Sequence, residues 1–348
     1  KQDPRLGRLS AAAVLALPEA GPRALANIAW AGATLGVATQ PLMTAISAQV
    51  LRTIGEFRAQ QISMTAWAMA KSGFADEHLL AAISSSARSR MSELRWLELS
   101  WTAWAFAKLQ VPDVPLLNAI SAASLSMMTH FGAQGLGKLA WAFATLGFFD
   151  EPLLAAISAQ SIRTISEFDT QGLANLAWAC ARLSCPDVPL FDAISSAARP
   201  TITGSATATV QELANLAWSC AKIMFCDHPL LDSLAAASLA QLGAFSSQDL
   251  GNTAWAFATL SFRHQPLLAA ISSEAITKSR SANAQALANT VWAFATLAVE
   301  DLPLLEAMSS QSIAKISNFT AQGLGNTAWA CAVLGYCDVP LLEAISCA

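Results

Sequence analysis

The stretch NLAWACARL, residues 175–183, decides the fold because it returns at a nearly fixed interval along the chain. It recurs with small changes as NLAWSCAKI from Asn215, NTAWAFATL from Asn252 and NTAWACAVL from Asn326. Nine tryptophans mark these units: Trp30, Trp67, Trp104, Trp141, Trp178, Trp218, Trp255, Trp292 and Trp329. They are spaced 37 residues apart, except for an interval of 40 between the fifth and the sixth. Such a period predicts one array of stacked repeats instead of several ordinary domains.

Each repeat is predicted to be a pair of amphipathic helices. Asp169 is a candidate N-cap, and apolar residues follow it at the spacing of one helix face. The equivalent cap positions are Thr209, Ser246, Asn283 and Thr320. Glycines six residues after the tryptophan suit left-handed helix ends, and motifs such as DVPLLNAI from Asp113 place an aspartate cap and a first-turn proline at the second helix.

The fold class that follows is all-α, a right-handed α-solenoid of nine tandem 37-residue helix-turn-helix repeats, because two short helices cannot bury their apolar faces alone. We expect a single helical-repeat array over residues 1–348, with a partial unit at 1–20 and a truncated last unit. The repeats should start near residues 21, 58, 95, 132, 169, 209, 246, 283 and 320. The three extra residues fall within 198–210, where Pro200 and Gly204 favour a longer loop and a local break in curvature.

The context of the tryptophan predicts a core residue. Alanines flank it and allow neighbouring helices to approach closely, which favours burial of the ring over a role as a base-stacking platform.

Six of the seven cysteines also fall at recurring places, near the tryptophan or just beyond the helix end. Because no CxxC or paired-histidine spacing accompanies them, we interpret them as small packing residues of a reducing compartment, with neither a zinc site nor a disulfide framework.

Composition excludes several classes of function. The formal net charge is -4 and the isoelectric point is near 5.6, so any basic binding site must be local. No apolar run reaches about 18 residues, and we expect no membrane insertion. The four histidines fall in linkers or at helix ends, and no glycine-rich phosphate loop follows a strand. We therefore expect a protein that is not an enzyme, with no catalytic residue, no cofactor and no metal.

A polar row stands out against this packing pattern. The asparagine three residues before the tryptophan shares a helical face with a glutamine about four residues earlier and with lysine, arginine or threonine seven residues later. In chain order the asparagine position holds Asn27, Met64, Trp101, Lys138, Asn175, Asn215, Asn252, Asn289 and Asn326. A structural asparagine would tolerate tryptophan or lysine poorly, whereas a ligand-contacting position can vary between units. The alternative is an asparagine ladder that ties adjacent helices together.

Units built on Q-x-L-A-N-T-x-W-A-x-A-T-L resemble the heptatricopeptide and octotricopeptide repeats, which are helical-repeat proteins of algal, dinoflagellate and apicomplexan organelles. The resemblance covers nearly the whole chain. It implies an α-solenoid that binds single-stranded RNA in a chloroplast or mitochondrion and acts in RNA processing, transcript stability, translation or ribosome assembly.

Two functions are therefore compared. In the first, the amide row contacts RNA bases unit by unit, while five cations meet phosphates: Lys71, Lys108, Lys138, Arg182 and Lys222. In the second, the solenoid is a protein-binding scaffold subunit of a large organellar complex, and its amides hold an extended peptide, as armadillo repeats do. A basic surface around the row favours RNA, and a neutral surface favours protein.

Overall fold

The computed structural model describes residues 14, 17–204 and 208–348, and these ranges contain helices and turns but no strand. Eighteen α-helices follow one another as nine pairs, which confirms the all-α fold of tandem repeats. The pairs are α1 (Pro22–Thr34) with α2 (Gln40–Thr53), α3 (Ala59–Ser72) with α4 (Glu77–Ser89), α5 (Trp96–Lys108) with α6 (Val114–Ser126), α7 (Ala133–Thr145) with α8 (Glu151–Arg163), α9 (Thr170–Arg182) with α10 (Val188–Gly204), α11 (Val210–Lys222) with α12 (His228–Gln241), α13 (Ser247–Thr259) with α14 (Gln265–Lys278), α15 (Ala284–Thr296) with α16 (Leu302–Ala314), and α17 (Ala321–Val333) with α18 (Val339–Ser346). Every first helix begins one residue after a predicted repeat start. The handedness of the solenoid stays a prediction.

The helices form two compact units, residues 1–167 with α1–α8 and residues 168–348 with α9–α18. Within each unit the first helices pack side by side in one layer, and the second helices form the other layer. Small residues set the close spacing of the first layer. A Cβ added to Gly251 on α13 would lie 3.0 Å from the carbonyl oxygen of Ala286 on α15, so the two backbones are in direct contact.

The helix ends behave as the sequence predicts. Asp169 accepts a hydrogen bond from the backbone N–H of Gly172 at 2.7 Å, and Thr209 forms a capping box with Glu212. Gly36, Gly73, Gly147 and Gly335 end their helices with φ between 64° and 69°. The other five repeats place a non-glycine residue in the same left-handed conformation: Gln110, Ser184, Met224, Ser261 and Ala298.

The core lies between the two layers, and phenylalanine, leucine, isoleucine and alanine fill it. The position two residues after the tryptophan points into this core and carries Phe106, Phe143, Phe257 or Phe294 in four repeats, each at most 1% exposed. Cysteine replaces phenylalanine in three others, and burial raises the pKa of the Cys220 thiol to about 12. A thiol of this kind stays protonated and serves as a small apolar group.

The prediction that the repeated tryptophans are core residues is wrong. None of the nine is fully buried, seven are partly exposed, and Trp30 and Trp329 are 41% and 45% exposed. The alanines beside each ring occupy the buried positions instead. The ring therefore lies at the solvent side of the seam between neighbouring first helices.

The prediction of a longer loop at 198–210 is wrong for residues 198–204, which are helical. α10 runs on to Gly204 and includes Pro200, so its last residues are α-helical where most other repeats have a short 3₁₀ turn. Pro200 has no backbone N–H, so one hydrogen bond to the residue four positions earlier is absent from this helix. Residues 205–207 lie outside the described part of the chain.

Candidate functional site

Each first helix presents a stripe of four side chains to solvent. On α11 the stripe is Gln211, Asn215, Trp218 and Lys222, spaced at i, i+4, i+7 and i+11, which places them on one helical face. We call these the glutamine, asparagine, tryptophan and helix-end positions. The glutamine position is mostly exposed, the asparagine and tryptophan positions are mostly partly exposed, and every lysine or arginine at the helix end is exposed.

In the second unit the stripes of α11, α13, α15 and α17 border an open groove of about 760 Å³. Its lining includes Lys222, Asn252, Asn289, Gln322 and Asn326, with indoles from two of the stripes. Asn175 and Asn215 lie on the same face outside the groove lining. The structure thus brings three of the predicted base-contact residues and one predicted phosphate-contact residue to a single groove.

Most of the remaining predicted residues lie in the first unit, at different stripe positions. Asn27 is exposed on α1, and Met64, Trp101 and Lys138 are partly exposed at the asparagine position of the following first helices. The predicted phosphate contacts Lys71 and Lys108 are exposed at the helix ends of α3 and α5, as Arg182 is on α9 in the second unit.

The asparagines do not form the ladder that was the structural alternative. Asn252 accepts a hydrogen bond at 3.1 Å from Gln248, one turn earlier on its own helix. Gln248 in turn accepts one at 2.7 Å from Asn283, the N-cap of α15, so a glutamine carries this tie between repeats. Among the described residues, no repeated asparagine has a side-chain hydrogen bond to the neighbouring first helix. The amides therefore keep hydrogen-bonding capacity for a ligand.

Other side chains tie the repeats together, and the repeat pattern alone did not predict them. Ser47 Oγ donates to Asp76 Oδ2 at 2.6 Å and Ser195 Oγ to Asp227 Oδ2 at 2.9 Å, so a second-helix serine binds the N-cap aspartate of the next second helix. The recurring Ala-Ile-Ser after the proline was the available signal.

A lysine in the last turn of a second helix makes another contact between repeats. Lys278 Nζ donates to the carbonyl oxygens of Gly243 and Phe245 at 2.8 and 2.7 Å. Lys315 repeats this contact one unit later.

The serine bond lowers the pKa of Asp76 below its ordinary value. A carboxyl group with a lowered folded-state pKa stabilises the fold at neutral pH, and this contribution is lost as the pH falls through that pKa. Ser47→Ala should therefore raise the pKa of Asp76 and cost about 1 kcal/mol at neutral pH, with a smaller cost in acid. Carboxyl titration by NMR and unfolding at several pH values measure both effects.

Ser84 supplies the matched control, because it occupies the same position in the next repeat and its buried hydroxyl has no hydrogen-bond partner. Ser84→Ala should leave stability unchanged or raise it slightly. An equal loss of stability in the two variants would show that the serine–aspartate bond contributes nothing.

Tryptophan rings of successive repeats lie close together on the stripes. In the first unit, the ring centroid of Trp67 lies 6.3 Å from those of Trp30 and Trp104 and 6.4 Å from that of Trp101. In the second unit, the centroids of Trp292 and Trp329 are 6.4 Å apart. These distances are typical of paired aromatic rings. Each unit therefore exposes aromatic surface alongside its amides.

Charge is distributed unevenly over the two layers. The four stripe positions of the nine first helices hold six basic residues and no acidic residue: Arg23, Lys71, Lys108, Lys138, Arg182 and Lys222. The whole chain has more acidic than basic residues, with 24 Asp and Glu against 20 Lys and Arg. The carboxylates of the described residues lie on the second helices, in the turns, and at the caps and first turns of the first helices, outside the four stripe positions. The stripes are thus locally basic within each unit although the whole chain is acidic, which favours an anionic partner.

The described residues contain no group of three histidine, cysteine, aspartate or glutamate side chains placed to hold a metal ion. No helix among them combines the length and the apolar character that a membrane span requires.

Paired helices in tandem, with a partly exposed polar stripe on the first helix of each repeat, define a helical-repeat protein. The family model of the RNA-editing substrate-binding complex 6 protein matches residues 21–302, and the chain belongs to this family. The match begins at the first predicted repeat start and reaches the first residue of α16. No curated protein matches the chain.

Proposed function

We propose that the stripe of the first helices binds single-stranded RNA, and that the protein acts without catalysis or cofactor in RNA processing inside an organelle. The observation that carries this proposal is the charge of the stripe, where six cations and no carboxylate occur in a chain with an acidic total. An anionic chain is attracted to such a face and repelled by the acidic second layer.

The stripe divides naturally into phosphate and base contacts. Lys71, Lys108, Arg182 and Lys222 carry exposed charge at the last turn of their helices, where flexible side chains can follow a phosphate backbone. The asparagine lies two turns earlier on the same face and offers two N–H donors and a carbonyl acceptor to a base edge. Unpaired bases expose these edges, whereas the deep, narrow major groove of an RNA duplex hides them.

Family membership supports a role with RNA, because the family is named for an RNA-editing substrate-binding complex. We propose that this chain works in such a complex, in a mitochondrion or chloroplast, with RNA and other protein subunits as partners. The repeat motif also supports membership of the wider heptatricopeptide and octotricopeptide class. Import of a fluorescent fusion of the full-length protein into one of the two organelles would identify the compartment.

Asparagine-to-alanine substitutions test base recognition. We expect Asn252→Ala, Asn289→Ala and Asn326→Ala together to reduce discrimination between a selected RNA and a scrambled one, by about tenfold for each base that is no longer recognised. The salt dependence of binding should change little, because amides carry no charge. Fluorescence anisotropy with oligomers chosen from a random pool measures both quantities.

Asn118→Ala is the matched control, since this exposed asparagine lies on the second helix α6, away from the stripe. It should bind like the wild type. Weak and equal binding of all RNAs by the wild type, unaffected by the triple substitution, would contradict recognition by the amides.

A protein-binding scaffold is the second candidate function. It is favoured by the uncharged helix ends of repeats 7–9, where the stripe carries Thr259, Thr296 and Val333. Side-chain amides beside uncharged helix ends suit the backbone of an extended peptide. Purification of the tagged protein from organelles with and without ribonuclease separates the two: partners retained after digestion support the scaffold, and their loss supports binding through RNA.

A further inference from the structure

The first unit lacks most of the amides that would read bases. At the asparagine position, α3 carries Met64 and α5 carries Trp101, and both side chains remain partly exposed on the stripe. Neither can donate and accept as a side-chain amide does. If RNA lies along this face, the first unit must bind its bases through another kind of contact.

Tryptophan supplies that contact. Trp67 lies between Trp30, Trp101 and Trp104, with centroid distances of 6.3–6.4 Å, and we call these four side chains the tryptophan cluster. The rings of Trp67 and Trp104 are stacked with an interplanar angle of 29°. Because the rings already pack against one another, a ligand that binds to them restricts little further side-chain motion.

The cluster keeps part of its aromatic surface exposed. Leu99 and Phe106 on α5 are at most 1% exposed, whereas Trp30 is 41% exposed and Trp67, Trp101 and Trp104 are partly exposed. The cluster gains a fourth ring, Trp101, at a partly exposed position where six of the nine repeats have asparagine. An aromatic residue added on the solvent side of a helix adds ligand-facing surface.

The charges beside the cluster suit a nucleic-acid strand. Lys71 follows Trp67 by four residues, and Lys108 follows Trp104 by four, so each indole has an exposed ammonium group one turn away on the same face. Aromatic rings for bases, with cations spaced along the backbone path, are the combination by which proteins bind single strands without sequence preference.

We propose that the tryptophan cluster is a stacking platform for unpaired RNA bases that does not discriminate among them. This inference rests on the proposed function and assigns a different task to each unit. Stacking without base preference is the task of the first unit, and sequence preference is the task of the amide groove in the second unit.

The test compares RNA oligomers of equal length with the full chain: oligouridylate, oligoadenylate, and an oligomer with abasic riboses, which keeps the phosphates and lacks the ring faces. Trp67→Leu with Trp101→Leu should weaken binding of both base-containing oligomers by about five- to 150-fold for each base that no longer stacks. Binding of the abasic oligomer should not change. Trp67→Phe with Trp101→Phe should retain most of the affinity, because phenylalanine keeps an aromatic face.

Trp96→Leu is the matched control, because Trp96 lies on the same helix as Trp101 but packs against Phe131, outside the cluster. It should leave RNA binding unchanged, and circular dichroism of every variant verifies that the repeats remain folded. Unchanged affinity of the double leucine variant for oligouridylate and oligoadenylate would overturn the stacking inference and leave RNA binding by the stripe intact. So would equal losses of affinity for abasic and base-containing RNA. Absence of RNA binding by the wild type would overturn both proposals.

Discussion

Phe257→Ala should lower the free energy of unfolding by about 3–5 kcal/mol, as expected when a buried phenyl ring is removed. Phe257 is 1% exposed and meets the ring of Phe262 edge-on, with centroids 5.7 Å apart. The cavity would lie between the two helix layers, where neighbouring repeats share their packing. Because repeat proteins unfold locally as well as globally, hydrogen exchange should show the destabilisation concentrated in α13 and the helices that flank it.

Phe149→Ala is the control for this prediction, since the same substitution there removes a ring that is 55% exposed in the turn before α8. It should change stability by no more than about 0.5 kcal/mol. If both variants melted at the wild-type temperature, the assignment of the core to the position two residues after the tryptophan would be wrong.

Removal of four stripe cations should have the largest effect on binding. With four or five phosphate contacts, the logarithm of the association constant should fall with the logarithm of salt concentration at a slope of about -3, so affinity drops about 60-fold between about 50 and 200 mM salt. Lys71, Lys108, Arg182 and Lys222 changed together to glutamine should flatten the slope by about 2.8. Fluorescence anisotropy in a salt series measures it.

An equal change of net charge away from the stripe provides the control. Arg52, Arg88, Arg163 and Arg263 are exposed and lie on second helices or in the turns before them. Their combined replacement by glutamine should leave the slope within about one unit of the wild type. Equal flattening by both sets would indicate that total charge governs binding, and the stripe would lose its special role.

Much of the fold follows from the sequence, because local chemistry specifies each helix end. Thr209 with Glu212 and Asp169 with Gly172 form the caps that their spacing predicts. The repeat length then sets the pairing of helices, since no single pair can bury its own apolar face. The prediction of a loop was wrong for residues 198–204. Pro200 and Gly204 favour a loop in isolation, yet the packed second layer extends the helix through both.

The tryptophan shows where sequence reasoning fails for this fold. A large apolar ring at a fixed place in a helix is most often a core residue, and alanines beside it strengthen that expectation. Whether the ring or the alanines are buried depends on the distance between neighbouring first helices. That distance is determined only when the repeats stack into a layer. Gly251 and Ala286 show that this approach is close enough to bring backbones into contact.

The candidate site was predicted in its residues but not in its arrangement. Periodicity placed Asn252, Asn289 and Asn326 on one face, and the structure shows that they share a groove. Charge segregation was also present in the sequence, although it becomes visible only when the helix layers are known. The ties through Ser47 and Lys278 could not be found from spacing within one repeat, because each joins residues from different repeats, 29 and 33 positions apart.

Photochemical cross-linking tests the central claim, that the first-helix stripe is the RNA-binding surface, most directly. The purified full chain would be irradiated with a uridine-rich single strand, and the cross-linked peptides would be identified by mass spectrometry. We predict adducts on the stripes of first helices, at Trp67 and Trp101 in the first unit and near Asn252 and Asn289 in the second. Adducts confined to the second helices, or none at RNA concentrations that saturate binding, would contradict this claim.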